Sequence, residues 1–509
     1  MTWQKVAATQ NLLKHERGTI WKDWGGKLPI ALVFPNRYHL GMSSLAVHTL
    51  YRLWNACEDV VCERVFTDLT PPISLESSAP LHYFPILAFS IPYEMDYFQV
   101  IAQLRASGIP LRALDRDETH PLIIAGGPAI SANPEPLAPF LDAVLVGEIE
   151  PIFDRLTDAL RLVLDGRDAA LAALRALPGL YLPWSHPPTA DPPSITRQWL
   201  HDLDRFPTCA TLFTPHTEFA STGLIEIARG CGRGCRFCLA GYAYRPPRQR
   251  SVENILDQAR ELLQHTDRLA LVSAAVSDYA QIDELAIQLR RLGARISVSS
   301  LRVDPVSEPL IRALAESGTR TLTIAPEAGS ERLRRIIHKT QSDRDVLHAV
   351  EIAGRYHLAQ LKLYFMVGLP GEEETDIQAI VDLASACTNR FPRQVTVNVT
   401  PFVPKAHTPF QRVAQAPAGL IKRRLVYLEQ ELRRRNIGVK SESPAWAEVQ
   451  GTLARGDRRL AEALLIMDRV TPKTWRQALH QAGLSADEFL AERPAGTRLP
   501  WQFIRFGSF

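Results

Sequence analysis

Cysteine is scarce: the chain has seven in 509 residues. That count and that length exclude a small disulfide-stapled scaffold. No apolar run reaches the ~18 residues of a membrane-spanning helix. The opening stretch MTWQKVAATQNLLKHERG is polar and helix-like and lacks the apolar centre of a secretory signal. A cytoplasmic address is the expectation, and there clustered cysteines serve metals more than disulfides. Neither sign of charge dominates. The formal net charge is +3, so composition asks for no polyanionic partner. No repeat with a period of ~20–50 residues and no low-complexity run marks a solenoid or a disordered tail.

What is present is a globular composition on a chain too long for one core, since single cores rarely pass ~250–300 residues. Residues 1–26 read as a helical extension. From 27 onward, strand-like KLPIALVFP (27–35), FPILAFSIP (84–92), PLIIAGGP (121–128) and DAVLVGE (142–148) alternate with helical SSLAVHTLYRLWNA (43–56) and FQVIAQLRASG (98–108). This rhythm predicts an α/β, Rossmann-like open parallel sheet over 27–164. Residues 165–222, with the proline-rich HPPTADPP (186–193), read as a linker carrying a small strand or two.

A second alternation covers 223–411. Its strands are GLIEIAR (223–229), LALVSAA (269–275), ARISVSS (294–300), TRTLTIAP (319–326), LKLYFMVGL (361–369) and QVTVNVTPF (394–402). Six β/α units predict a partial (β/α)6 TIM-like barrel, with its chemistry at the C-terminal strand ends. Residues 412–509 turn helical. The helix GLIKRRLVYLEQELRRRN (419–436) is basic and suggests nucleic acid. Interleaved Glu429 and Glu431 and the stripe Leu425, Leu428, Leu432 instead suit a solvated helix with one buried face.

Three of the seven cysteines fall in RGCGRGCRFCLAGYAYRPPRQRS (229–251), as Cys231, Cys235 and Cys238. Thiolates at this density suit zinc or an iron–sulfur cluster. Structural zinc takes four ligands, usually in two separated pairs. No second pair lies near, although Cys209 is a second thiol to watch and His216 a poorly spaced fourth ligand. Three thiolates on one loop fit a [4Fe–4S] cluster with one iron left open for a ligand. Cys57, Cys62 and Cys387 read as buried small hydrophobes.

The C-x3-C-x2-C spacing, with Phe237 before the last cysteine and a strand just before the loop, resembles the radical S-adenosylmethionine (SAM) superfamily. The resemblance implies that Cys231, Cys235 and Cys238 bind a [4Fe–4S] cluster, that SAM docks on the open iron and that Phe237 lies beside the cofactor. It implies further contacts to SAM. Ser273 stands where the family has a Gly-Gly-Glu-like stretch, which VSAAVSDY (272–279) departs from. Ser300 and Arg302, in SSLRVDP (299–305), would meet ribose and carboxylate, Arg302 through its bidentate fork. The bland alternative for Arg302 is an ion pair. Glu327, in IAPEAGSERLRRIIHK (324–339), would point inward and need a partner. YFMVGLPGEEETDI (364–377) would bring backbone to the adenine at Gly368 and Gly371.

The first domain in this order resembles the branch that carries an N-terminal cobalamin-binding-type domain. The segments are FSIPYEMDYFQVIAQLR and IIAGGPAISANPEPLAPFLDAVLVGEIEPIFDRL. The resemblance implies cofactor contacts at Ser90, Gly126, Gly127, Gly147 and Glu148, with Asp142 as a landmark. A cobalt-ligating histidine would need Asp-x-His-x-x-Gly. The chain has NRYHLGM (36–42), so His39 reads as a loop or cap residue and not a ligand. PFVPKAHTPFQ (401–411) and LPWQFIRFG at the end resemble segments of a largely uncharacterised group of such proteins. Lys405 and His407 would lie at the barrel entrance, or on an exposed polar loop.

The expected activity is reductive cleavage of SAM to a 5′-deoxyadenosyl radical, with cobalamin-dependent methyl transfer to carbon. The expected partners are an external one-electron donor of flavodoxin or ferredoxin type, and a substrate that is a small molecule or RNA. The alternatives are cobalamin-free radical chemistry such as methylthiolation or rearrangement, an RNA-modifying or RNA-binding protein, and a binding module that keeps the fold alone.

Overall fold

The computed structural model describes residues 3–186 and 193–507, so most of HPPTADPP lies outside the described residues. The first sheet holds β1 (Leu28–Val33), β2 (Val60–Val65), β3 (Ile86–Ser90), β4 (Leu122–Gly126), β5 (Ala143–Leu145) and β6 (Leu180–Tyr181). Their order is β2-β1-β3-β4-β5-β6, all parallel except β6 against β5. Strands buried on both faces favour apolar residues, which is why β1, β3, β4 and β5 read as unbroken runs, whereas β2 carries the buried charges Glu63 and Arg64.

Successive residues of β1 feed two different cores, as a period of two requires. Ile30 and Leu32 pack with the helices Leu45–Ala56 and Phe153–Arg161. Ala31 and Val33 pack on the other side, with Tyr97–Ala106 and the C-terminal helices Leu460–Ile466 and Pro472–Gln481. The C-terminal region thus covers the first sheet. The segment expected as a linker also joins it, through the helix Arg167–Arg175 and β6. The N-terminal helix Trp3–Lys14 leads to Glu16, whose carboxylate meets buried Arg64 at 2.6 and 2.9 Å.

After β7 (Ile195–Thr196), the second alternation supplies β8 (Gly223–Glu226), the short antiparallel pair β9 (Ala228–Arg229) and β10 (Arg248–Gln249), then β11 (Arg268–Val272) and β12 (Arg295–Val298). It continues with β13 (Thr321–Glu327), β14 (Gln360–Val367) and β15 (Gln394–Pro401). Strands β8, β11 and β12 form one parallel sheet, and β13, β14 and β15 run through another. A parallel bridge, Leu301 to Ile324, links the two. All six expected strands are present in chain order. The region expected to be helical adds β16 (Gly438–Ser441), parallel to β15, and β17 (Ile504–Arg505), parallel to β7. One face of β13 is buried, while Thr321, Thr323, Ala325 and Glu327 on the other face stay half-open.

The basic helix, Ala418–Arg433, buries Leu425, Leu428 and Leu432. Part of its charge is paired: Arg424 with Glu372 and Glu374, and beyond its end Arg434 and Arg435 with Glu431. Among the described residues no helix is long and apolar enough to cross a membrane.

Two histidines, His48 buried and His407 half-buried, tie distant segments together. His48 donates from Nε2 to Met42 O at 3.0 Å, and its Nδ1 accepts from the Thr211 and Leu212 N–H groups at 3.2 and 3.3 Å. His407, expected at an entrance or on an exposed loop, instead donates from Nε2 to Ala132 O at 3.0 Å and stacks on Phe506. Lys405 beside it is bound to Glu94 at 2.7 Å. Burial pushes both imidazoles down, to about 4 each. An unfolded imidazole titrates near ~6.5, so below that pH the unfolded chain takes up protons that the fold refuses. Stability is therefore level above pH 6.5 as far as these rings are concerned, and falls as pH drops from there to about 4. The loss is of order 3 kcal/mol per ring across the whole window. Urea midpoints measured in a pH series should show this slope, and a His48→Gln/His407→Gln variant should flatten it.

Candidate active site

The cysteine loop runs from β9 to the short helix Ala240–Ala243. Gly230 enters it at φ +86°, and a Cβ there would stand 2.2 Å from Tyr244 O, so only glycine fits. Backbone bonds close the loop on itself, Cys238 N–H to Cys235 O at 3.2 Å and Gly241 N–H to Cys238 O at 3.1 Å. Side contacts fix it to the strand ends. Arg233 grips Asp278 with two bonds of 2.7 and 2.8 Å, and Arg236 N–H meets Ile337 O at 3.0 Å. Phe237, expected beside a cofactor, packs instead into the apolar group of Leu333, Ile337, Met366, Phe402 and Phe410, where it anchors the loop.

Cys235 is buried, and Cys231 and Cys238 are half-buried. Burial pushes the Cys235 thiol up, while Lys339 and Arg302 pull it back. Burial does the same to Cys238, helped by its neighbours Cys235, Cys231 and Glu327. Arg302 is central. Its Nη1 lies 3.9 Å from Cys235 Sγ and its Nη2 3.0 Å from Asp304. Its Nε and Asp304 Oδ1 are buried with no partner. Glu327 adopts φ +70° at the end of β13 and receives Lys339 Nζ at 3.4 Å. Burial pushes the Glu327 carboxyl up, against Lys339 and Arg302. The structure thus gathers Arg302 and Glu327 around the cysteines. Ser273 is half-buried beside them, and Ser300 is exposed.

A deeply placed thiolate needs compensation, and a metal cluster supplies it by displacing the thiol proton. Three thiols on one loop, a guanidinium over one of them, and an orphaned donor on that guanidinium fit an iron–sulfur cluster with a ligand beside it. A zinc cage fits less well. Zinc demands a fourth ligand, and the two candidates the sequence offers, Cys209 and His216, are engaged elsewhere. Cys209 is not on an open polar loop. It is buried and bridged to Ile225 on β8, while His216 packs on the ring of His15.

A cavity of about 500 Å³ lies between the carboxyl ends of β3, β4 and β5 and the start of the cysteine loop. Ser90, Gly126, Gly127 and Gly147 line one side, Gly230 and Ser273 the other. A second cavity of about 880 Å³ shares Gly230 and Ser273 and reaches Cys231. A Cβ on Gly126 would meet nothing nearer than Leu145 O at 4.0 Å, so its bare backbone keeps the cavity wide. Gly127 and Gly147 are glycine for another reason. At φ +114° and +107°, their Cβ atoms would strike Ile91 O at 2.5 Å and Gln198 O at 2.2 Å. Asp142 is also structural, accepting Ile123 N–H at 2.7 Å and pairing with Arg116 and Arg167. Gly368 and Gly371 border neither cavity, and a Cβ on Gly368 would face Ala416 at 3.0 Å. His39 is exposed on the helix Tyr38–Gly41.

Glu148 differs most from expectation. It borders the cavity, but its oxygens are taken by Arg248 at 2.9 Å twice, Arg229 at 2.8 Å and Leu200 N–H at 2.9 Å, with Arg197 at 3.6 Å. Burial alone would raise this carboxyl, but Arg248 and Arg229 hold it below the usual range. Arg229 also binds Glu150 and Glu226 at 2.8 Å each. This network joins the first sheet to the residue two before Cys231. Sequence spacing carried no signal for it, because its members lie up to a hundred residues apart. Removing one partner of a buried pair strands the others, so Glu148→Ala should cost about 3–5 kcal/mol. Urea unfolding of the full chain checks this, and Glu148→Gln should recover part of the loss.

Comparison with known proteins gives the family. Residues 225–384 match the radical SAM superfamily model, and residues 46–183 match the model for the N-terminal part of radical SAM proteins, a match that runs through β6. The uncharacterised protein MJ0966 of Methanocaldococcus jannaschii is 33% identical over 86% of this chain and 90% of its own. The chain belongs to the radical SAM superfamily, whose members work with a [4Fe–4S] cluster and SAM. An uncharacterised methyltransferase of Pyrococcus horikoshii, PH0819, is 25% identical over 52% of this chain and 57% of its own. The ribosomal protein uS12 methylthiotransferase RimO of a Thermotoga species is 27% identical over 31% of this chain and 39% of its own. Among solved structures, the radical SAM methyltransferase TsrM of Kitasatospora setae, with cobalamin and a [4Fe–4S] cluster bound, shares the fold. Its TM-score is 0.53 over 92% of both chains, at 14% identity.

Proposed function

We propose that this chain is a cobalamin-dependent radical SAM methyltransferase acting at carbon. The observation that carries the reading is the shared wall at Gly230 and Ser273. It puts the cavity at the ends of β3, β4 and β5 directly beside the loop of Cys231, Cys235 and Cys238. Strand ends of this kind are where open α/β sheets take large cofactors. TsrM, of the same fold, holds cobalamin and a cluster together. Methylthiolation, the activity of RimO, has less support. Cys57, Cys62, Cys209 and Cys387 are scattered on separate elements and offer no second set of ligands.

In this reading the three cysteines hold the cluster, and residues around them place SAM. When bound, the cluster supplies one electron to the sulfonium of SAM, and cobalamin supplies a methyl carrier. Arg302 sets its charge against Cys235 and keeps Nε free for a carboxylate, with Ser273 close by as a hydrogen-bonding hydroxyl. Glu327, held by Lys339, offers a carboxylate to a hydroxyl or amine. Gly126 leaves room for a broad ring at the first sheet, and the Glu148–Arg229 tie keeps that sheet against the cysteine loop.

After anaerobic reconstitution with iron and sulfide, dithionite should yield 5′-deoxyadenosine from SAM, and the protein should carry a cobalamin absorption band. Replacing any one of Cys231, Cys235 or Cys238 with alanine should abolish both the cluster absorption and 5′-deoxyadenosine. Gly126→Val should lower cobalamin affinity by tenfold or more while leaving the cluster absorption intact, because a branched side chain there fills the cavity. Cluster formation with no cobalamin band after growth on added cobalamin would remove the methyl-transfer reading.

A further inference from the structure

The face of β13, β14 and β15 turned away from the helices carries polar side chains that the site described above does not use. Leu361, Leu363, Phe365, Val395, Val397 and Val399 pack into the helix-side core. With a period of two, Lys362, Tyr364 and Asn398 therefore look the other way, on the face that Glu327 shares. In the register, Thr323, Lys362, Thr396 and Gly438 form one row, and Tyr364, Asn398 and Lys440 the next. At the lower end Gln360 closes the face, accepting from the Thr321 hydroxyl at 3.1 Å and donating to Thr396 at 3.0 Å. Above it the pairing stops. Lys362 and Tyr364 are half-buried and make no hydrogen bond or ion pair among the described residues. Asn398 Oδ1 is buried with no partner, where buried polar atoms are normally paired. Other unpaired cations differ: Lys422, Arg423 and Arg433 stand in solvent on the helix Ala418–Arg433, and Lys440 is exposed on β16. Lys339 is engaged by Glu327 at 3.4 Å.

We propose that this face seats the substrate and that the substrate is a small organic acid, its carboxylate set against Lys362 and its reacting end toward the cysteine loop. The inference rests on the function proposed above and adds the class of molecule it acts on. Lysine is rarely taken out of water without a counter-charge, and here the chain supplies none. One ammonium balances one unit of charge, which a carboxylate carries and a phosphate nearly doubles. The second carboxylate oxygen has the Tyr364 hydroxyl and the Asn398 amide as donors in the adjoining row, and Asn398 Oδ1 is left for an N–H or O–H of the substrate. Phe365 is the register partner of Glu327, and Lys362 lies earlier on β14. At the rise of a strand, about 10 Å separate the two levels. Glu327 in turn acts on the Cys238 thiol, so a molecule of that length reaches from Lys362 to the level of the cysteines.

The test uses the reconstituted full chain and three probes of similar shape, benzoate, phenyl phosphate and neutral benzamide, read by isothermal titration calorimetry. Benzoate should bind at least about tenfold tighter than benzamide, because a charge-assisted hydrogen bond replaces a neutral one. Lys362→Gln should erase that preference and Lys362→Arg should keep it. Lys422→Gln, at an unpaired surface lysine, should leave it unchanged. Lys362 has no partner to strand, so the cluster absorption and the urea midpoint should not move in any of the three variants. Equal binding of benzoate and benzamide, no saturable binding of benzoate, or a benzoate affinity that survives Lys362→Gln or falls equally in Lys422→Gln overturns the proposal. Tighter binding of phenyl phosphate than of benzoate overturns the carboxylate assignment. Calorimetry needs no turnover, so a chain that holds benzoate through Lys362 yet forms no 5′-deoxyadenosine keeps this site and loses the function proposed above.

Discussion

A carboxylate buried between two sheets must find its counter-charge on the far side, and the rest of this molecule is arranged around how Glu148 does so. It leaves the first sheet just after β5 and meets Arg197, Arg229 and Arg248 from the second half of the chain. Arginine suits the task because its charge is permanent and its fork engages several oxygens at once. Arg229 then reaches on to Glu150 and Glu226, so neither half can shift without stranding charge. The cysteine loop begins two residues later. The tie therefore sets the distance from the first sheet to the thiols, and the cavity between them exists because that distance is held.

Other joints reinforce the same docking. His407 and Lys405 reach back to Ala132 and Glu94, and Asn133 donates to the Ala454 and Gly456 carbonyls of the C-terminal region. The C-terminal helices, which have no sheet of their own to cover, pack on the first sheet and close one of its two cores. Carboxyl ends of parallel strands from both halves thus converge on one place, and both cavities lie there. In an open α/β sheet those ends are where backbone is free to meet a ligand.

Most of the fold was legible because its signals are local. Strands buried on both faces favour unbroken apolar runs, and every one of the main runs became a strand. The cysteine triad was legible for the same reason, being eight residues long. Arg302 and Glu327 were singled out by motif, and the structure adds their partners, Cys235, Asp304 and Lys339. Long-range pairing was not legible. Glu148 reads as a ligand contact until three distant arginines claim it. Cys209 looks polar by its neighbours until a bridge to β8 buries it. His407 and Lys405 look like entrance residues until the first domain folds back onto them.

The sequence by itself determined the element order, the parallel α/β character and the clustering of three cysteines on one loop, because periodicity and short spacing do not depend on what lies across the molecule. Tertiary structure alone decided which glycines serve a cavity and which serve the chain. Gly126 opens the cavity, while Gly127 and Gly147 yield to neighbouring backbone. It also decided which charges remain free, since a charge is neutralised by whatever the fold brings within a few ångströms and not by its neighbours in the chain.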